Sequence, residues 1–324
     1  MSAVQTVARS WLGLLSTLAL VLSGGCGAPA AEAKPARDSG ALTDSHELPG
    51  WAVETGRDEH GPWADFEVDG YRTRLRNIPK GKFTMGSPQS ESERAPDELQ
   101  HEVTLTSDYW LAESEATQTL WRLVMDDNPS QFVSDERPVE TVTWQDVQLF
   151  LRRLNERVPG LDARLPTEAE WEYGCRAGTT LATYAGELLP AGIYNAPVLD
   201  AIAWYGGNSG VGFELDVGFD TSSWEDKQYS DAPAGSHPVL RKQPNRWGVH
   251  DCLGNLWEWC QDWFGAYDDM SLTDPSGPQT GEGRVIRGGS WLDRAVGLRV
   301  ANRNKGTPVD KAAILGFRLA RRAD

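Results

Sequence analysis

Sulfur and imidazole are scarce in this chain. Its 324 residues include only four cysteines, four methionines and five histidines, and no cysteine occurs from Gln261 to Asp324. The C-terminal stretch therefore offers no thiolate to a soft metal ion. The histidines (His46, His60, His101, His237 and His250) show no His-x-x-x-His spacing, which argues against a histidine-built transition-metal centre. Positive charge is short as well. Thirty-one Lys and Arg against 47 Asp and Glu leave a formal charge of −16, which repels phosphate backbones and anionic lipid surfaces, so no nucleic-acid partner is expected. The uncharged apolar stretch from Trp11 to Ser23 is too short to span a bilayer. Internal repeats and coiled-coil heptads are absent too.

Glycine and tryptophan, by contrast, are plentiful at 33 and 14 residues, the composition of a loop-rich fold stapled by aromatic rings. The N-terminus reads as an export leader: Arg9 supplies the positive charge, Trp11 to Ser23 the apolar core, and Leu22-Ser23-Gly24-Gly25-Cys26 looks like a bacterial lipobox. The expectation is a signal over residues 1–26 with Cys26 lipidated, giving an exported protein anchored in the cell envelope, at the periplasm or outer membrane. Simple secretion is the alternative. Residues 27–48 are rich in Ala, Pro, Glu, Lys, Asp and Ser and read as a solvated tether. Residues 49–324 are expected to form one domain, monomeric, touching a membrane only through the N-terminal lipid. Cys175, Cys252 and Cys260 then remain, an odd number, and are expected to be buried small apolar side chains; Cys252 and Cys260 form the one pair close enough in sequence to suggest a bridge.

Inside the domain, Phe66 and Val68, then Tyr71, Thr73 and Leu75, alternate around Asp69-Gly70, which predicts a tight hairpin. Thr143 with Asp146 makes a capping box ahead of Val147, Phe150, Leu151 and Leu154, spaced as one helical stripe. Thr167 with Glu170 repeats the device for a helix over about residues 168–177, stopped at Gly178. A third helix starts near Thr117 and carries Leu120, Trp121, Val124 and Met125.

Several segments in collinear order resemble the formylglycine-generating enzyme (sulfatase-modifying factor) family. They are Phe83-Thr84-Met85-Gly86-Ser87; Asn128-Pro129-Ser130 with Arg137-Pro138-Val139-Glu140 and Trp144; Leu165 to Tyr173; Trp247-Gly248 with Asp251 to Trp259; Arg287 to Trp291; and Gly316-Phe317-Arg318-Leu319. The resemblance implies an α+β fold, the formylglycine-generating-enzyme variant of the C-type lectin fold, low in regular secondary structure.

Carboxylates with intervening carbonyls on a turning chain suit Ca²⁺, and the segment from Asp251 to Glu258 is the best such stretch. The resemblance implies a structural calcium site there, with side-chain ligands from Asp251 and Glu258 and carbonyls from Gly254 and Leu256; the bland reading is that both carboxylates hydrogen-bond loop amides. Residues 206–232 look inserted, and Asp216, Asp220 and Asp226 are expected to be solvated. In active relatives two cysteines shortly after the Gly-Gly-Ser-aromatic motif hold Cu(I). Here that stretch reads Trp291-Leu292-Asp293-Arg294-Ala295-Val296-Gly297-Leu298-Arg299, so no copper and no catalytic residue are expected. Trp257, Ser290, Trp291 and Asp293 become candidates for lining a pocket, although Trp257 and Trp259 flanking Glu258 also read as core packing. The C-terminal arginines read mainly as structural ion-pair formers, with recognition of anionic or peptide groups as the second reading.

Three functions remain open at this stage. The first is a binding or scaffolding module for a protein, peptide or glycan; the second is a divergent maturation enzyme; the last is formylglycine formation itself. Arg287 to Ser290, Ala301 to Asn304 and Gly316 to Arg318 also resemble the hypervariable ligand-binding proteins of diversity-generating retroelements.

Overall fold

A computed structural model describes residues 49–323. Cys26, the export leader and the whole tether lie outside the described residues. Twelve short strands, a few helices and long ordered loops make up the domain, the low regular content that the glycine-rich composition calls for.

The predicted hairpin is present. Strands β2 (Gly61–Val68) and β3 (Tyr71–Ile78) pair antiparallel, and the turn places Asp69 at φ 49° and Gly70 at φ 84°, the left-handed pair that a two-residue hairpin loop requires. With β1 (Glu54–Asp58), β6 (Tyr109–Ala112) and β12 (Ala320–Arg322) they form a five-stranded sheet in the order β1-β2-β3-β6-β12. The C-terminal strand thus returns to pair with β6. A three-stranded sheet joins β4 (Gly81–Met85), β5 (His101–Leu105) and β8 (Leu272–Thr273). A four-stranded sheet runs β10 (Arg303–Gly306), β9 (Arg284–Arg287), β7 (Trp257–Trp263) and β11 (Leu315–Gly316).

All three helices start as their caps predict. Helix α1 (Gln118–Met125) is capped by Thr117, while α2 (Trp144–Arg157) and α3 (Glu168–Arg176) each carry a complete capping box, Thr143 with Asp146 and Thr167 with Glu170. On α2 the buried residues are Val147, Phe150, Leu151 and Leu154, the stripe expected from spacing. Helix α3 ends at Arg176, one residue short of the expected end at 177, because Ala177 itself adopts the left-handed conformation at φ 45°.

Helix α3 and the C-terminal arginines build the centre of the molecule. Glu168 takes both nitrogens of a fork from Arg303, at 2.7 and 2.8 Å. Glu172 is bonded by Arg176 and Arg287, and Glu98 by Arg299. Arg287 and Glu172 are both wholly buried. The guanidinium groups beside Glu172 hold its carboxyl below the usual range against the pull of burial. The structural reading of the C-terminal arginines therefore holds for these members. All three remaining cysteines are free and buried; Cys175 has Cys252, not Cys260, as its thiol neighbour.

Candidate functional site

Strand β7 and the turn after β9 bring together the residues singled out by sequence. The indole of Trp257 donates to Asp293 Oδ2 at 2.8 Å, and Ser290 Oγ donates to the same oxygen at 2.5 Å. Burial pushes the Asp293 carboxyl up from its ordinary value, with the two hydrogen bonds opposing. Trp257, Ser290 and Trp291 are 4 %, 0 % and 1 % exposed, so the trio is closed rather than presented to solvent. Ser290 has no histidine in this set, and its hydroxyl donates to Asp293.

Residues of the expected insert supply the cover. Gly206 N donates to Asp293 O, and Ser209 Oγ donates to Trp291 O at 2.8 Å. Trp291 packs edge-on against Phe132 and tilted against Phe219. Behind them His237 stacks on Trp204 with ring centroids 3.7 Å apart, and its Nε2 lies 2.8 Å from Ser209 O. Burial drives the His237 imidazolium form out and lowers its pKa to about 4. Asp216, Asp220 and Asp226 are exposed, as expected of solvated loop charges.

The implied calcium set is assembled differently from its sequence outline. Asp251 is 1 % exposed; its Oδ2 accepts from Leu240 N at 2.8 Å, and its Oδ1 has no partner. That orphaned oxygen fits a cation ligand. Glu258 does not fit in the same way, because Arg318 grips both its oxygens at 2.6 Å and Trp171 Nε1 adds a third bond at 2.7 Å. Sequence reasoning missed Glu115, which arrives from the segment between β6 and α1. It accepts from Leu256 N at 2.9 Å and Asn255 Nδ2 at 2.8 Å. Burial pushes Glu115 well above the usual carboxylate range, and the charges of Asp251 and Glu258 add to the rise. Three buried carboxylates thus face one guanidinium, an arrangement that favours a further positive charge. Among the described residues no group of three or more His, Cys, Asp or Glu side chains is arranged as a metal cage, so a cation here would need backbone carbonyls to complete its shell. Nothing in the sequence around Glu115 marks it; its role follows from the packing of the segment between β6 and α1 against Asn255 and Leu256.

Cavities open beside the carboxylate cluster and beside Arg303. One of about 420 Å³ is lined by Arg74, Glu113, Glu115, Thr117 and Leu240, among others. The second, of about 440 Å³, is lined by residues including His101, Glu168, Asp262, Tyr267 and Arg303, and there burial and the neighbouring Glu168 charge raise the Asp262 pKa to about 8. Trp257, Ser290, Trp291 and Asp293 line neither.

Short strands on long stapled loops, capped helices at the centre and a closed serine-aspartate-tryptophan cluster define a C-type-lectin-like module of the formylglycine-generating-enzyme type. The chain belongs to the sulfatase-modifying factor family: residues 72–323 match the sulfatase-modifying factor enzyme 1-like domain. It is 37 % identical over 194 residues to the formylglycine-generating enzyme of Streptomyces coelicolor, covering 58 % of this chain and 53 % of that protein. It is 31 % identical over 228 residues to the chaperone protein LppX of Paenibacillus barcinonensis, covering 59 % of this chain and 71 % of that one. Among solved structures it is similar to Treponema denticola variable protein 1, with a TM-score of 0.66 and 28 % identity, covering 81 % of this chain and 99 % of that one. The chain spans about half the length of the curated formylglycine-generating enzymes it matches.

Proposed function

We propose that this chain is a binding or scaffolding module that keeps the sulfatase-modifying fold without its oxidase chemistry. The observation that carries the reading is the turn after Ser290. It holds no thiol, its aspartate accepts hydrogen bonds from Trp257 and Ser290, and the three described cysteines are buried in the core. Carboxylate and guanidinium cannot replace a copper thiolate. Purified protein incubated with Cu(I), oxygen and a Cys-x-Pro-x-Arg peptide is expected to give no aldehyde by mass spectrometry; turnover above a protein-free control would overthrow the reading. The similarity to a protein named a chaperone favours a protein or peptide partner over a glycan.

Calcium belongs to the same proposal as a structural ion. Asp251, with its free Oδ1, and Glu115 would hold it together with the carbonyls of Gly254 and Leu256, while Glu258 stays with Arg318. Its role would be to neutralise the buried carboxylates. Chelation should lower the melting temperature by several degrees, about 2–4 °C per kcal/mol of lost linkage for a domain of this size. An Asp251→Asn variant should not respond, and an equal response in that variant would remove Asp251 from the site.

The placement in the envelope rests on the leader and lipobox read from sequence. No helix among the described residues is long and apolar enough to cross a membrane. Radiolabelled palmitate should enter the wild-type protein in its native bacterium and not the Cys26→Ala variant.

A further inference from the structure

Arg137 is 3 % exposed, and no nitrogen of its guanidinium has a hydrogen-bond acceptor among the described residues; Nε and Nη1 are fully enclosed. The carboxylates nearest in sequence are committed elsewhere. Glu140 accepts from the amides of Gln131 and Phe132 and from Thr141, and Glu136 pairs with Arg241 at 2.7 Å. Glu214, whose charge reaches Arg137, is exposed and makes no hydrogen bond to it. Only the Phe213 ring, 5.1 Å from the guanidinium carbon, offers partial compensation. A buried, always-charged group left like this costs several kcal/mol unless an anion meets it.

The surroundings point the same way. Ser236 is wholly buried and its hydroxyl has no partner, and Trp204 Nε1 is an unpaired buried donor stacked on the adjacent His237. Lys242 lies over the other ring system of this group, 3.9 Å from Trp204. Arg137 and Lys242 both repel a charge on His237, but Lys242 is held by Asp200, which leaves Arg137 as the unmet cation of this group.

We propose that Arg137 receives a carboxylate of an incoming ligand at the edge of the closed Ser290 cluster when the Phe213 ring that covers its guanidinium gives way. A guanidinium fork matches a carboxylate in two parallel hydrogen bonds, which a hydrated chloride cannot imitate. This deepens the binding reading by naming its ligand class, and the aldehyde assay above decides that reading independently.

The test is thermal unfolding of the full chain titrated with two probes, N-acetylglycine, which carries only a terminal carboxylate, and N-acetylaspartate α-methylamide, which carries only a side-chain one. N-acetylglycinamide and sodium chloride at matched ionic strength serve as controls, with sodium sulfate in parallel. At least one carboxylate should raise the melting temperature saturably by about 3–6 °C while the amide and chloride do not. Which probe responds identifies the carboxylate source. Arg137→Gln should lose the response and, without probe, melt no lower than wild type, because it removes an unmet buried charge; Arg137→Lys should bind about tenfold more weakly. The proposal is overturned if neither carboxylate exceeds the chloride control, if sulfate matches them, if Arg137→Gln responds like wild type, or if that variant is strongly destabilised without probe.

Discussion

Glu258→Ala is expected to cost about 3–5 kcal/mol of folding stability, the range for breaking one side of a fully buried ion pair. Glu258 and Arg318 are both 0 % exposed, and three hydrogen bonds of 2.6 to 2.7 Å end on the carboxylate. Removing it leaves Arg318 with only the carbonyls of Ala112 and His250. The reverse change, Arg318→Met, should be at least as damaging, since it strands Glu258 beside Glu115 and Asp251 with no counter-charge. Removing both ends together, as Glu258→Leu with Arg318→Met, should recover part of the loss, because an apolar pair of similar volume carries no desolvation penalty. Urea unfolding at pH 7 checks all three. A Glu258→Ala cost under about 1 kcal/mol would show that the pair is not the anchor of this region.

The second large effect is a loss of stability in mild acid. His237 has its pKa lowered to about 4 in the fold, against about 6.5 in an unfolded chain. Below pH 6.5 the unfolded state binds a proton that the folded state refuses, so the contribution of this residue is complete above pH 6.5. It is lost at about 1.4 kcal/mol per pH unit down to pH 4, a total of about 3 kcal/mol. The local cause is visible: burial against Trp204 strips water from the ring and Arg137 and Lys242 add repulsion, and together they outweigh the Ser209 carbonyl beside Nε2, which favours the charged form. His237→Phe keeps a flat ring on Trp204 but cannot titrate. Its stability relative to wild type should therefore improve steadily from pH 7 to pH 4.5. A constant difference between the two across that window would contradict the assignment.

Local signals in the sequence were read correctly where one short segment contains the whole cause. Asp69-Gly70 specifies its turn, and each Thr cap with its acidic partner three residues later specifies a helix start, because every atom involved lies within four residues. Trp257, Ser290 and Asp293 could be gathered as one group because strand pairing of β7 with β9 follows from motifs that travel together. That they are closed over could not be read, since the cover comes from Gly206, Ser209 and Phe219, in a segment with little pattern of its own. The same holds for the carboxylate cluster. Glu258 looked like a free ligand because its partner Arg318 stands sixty positions away, and Glu115 went unnoticed because it is 141 positions from the Leu256 amide it accepts. Arg137 was visible only as part of a motif; its lack of an acceptor is a property of packing, which no spacing rule reports.

The position of Arg318 also has a temporal side. Residues 315–322 are made after Glu258 and β6, yet they supply the positive charge that Glu258 needs, a parallel partner for β7, and the strand beside β6. Until they emerge, the interior holds clustered acids without neutralisation and an unpaired sheet edge, so the nascent polypeptide has little to gain from closing early. Commitment to the native state is thereby deferred until this segment has been made, and it depends on the long-range joining of these residues to elements made some two hundred positions before.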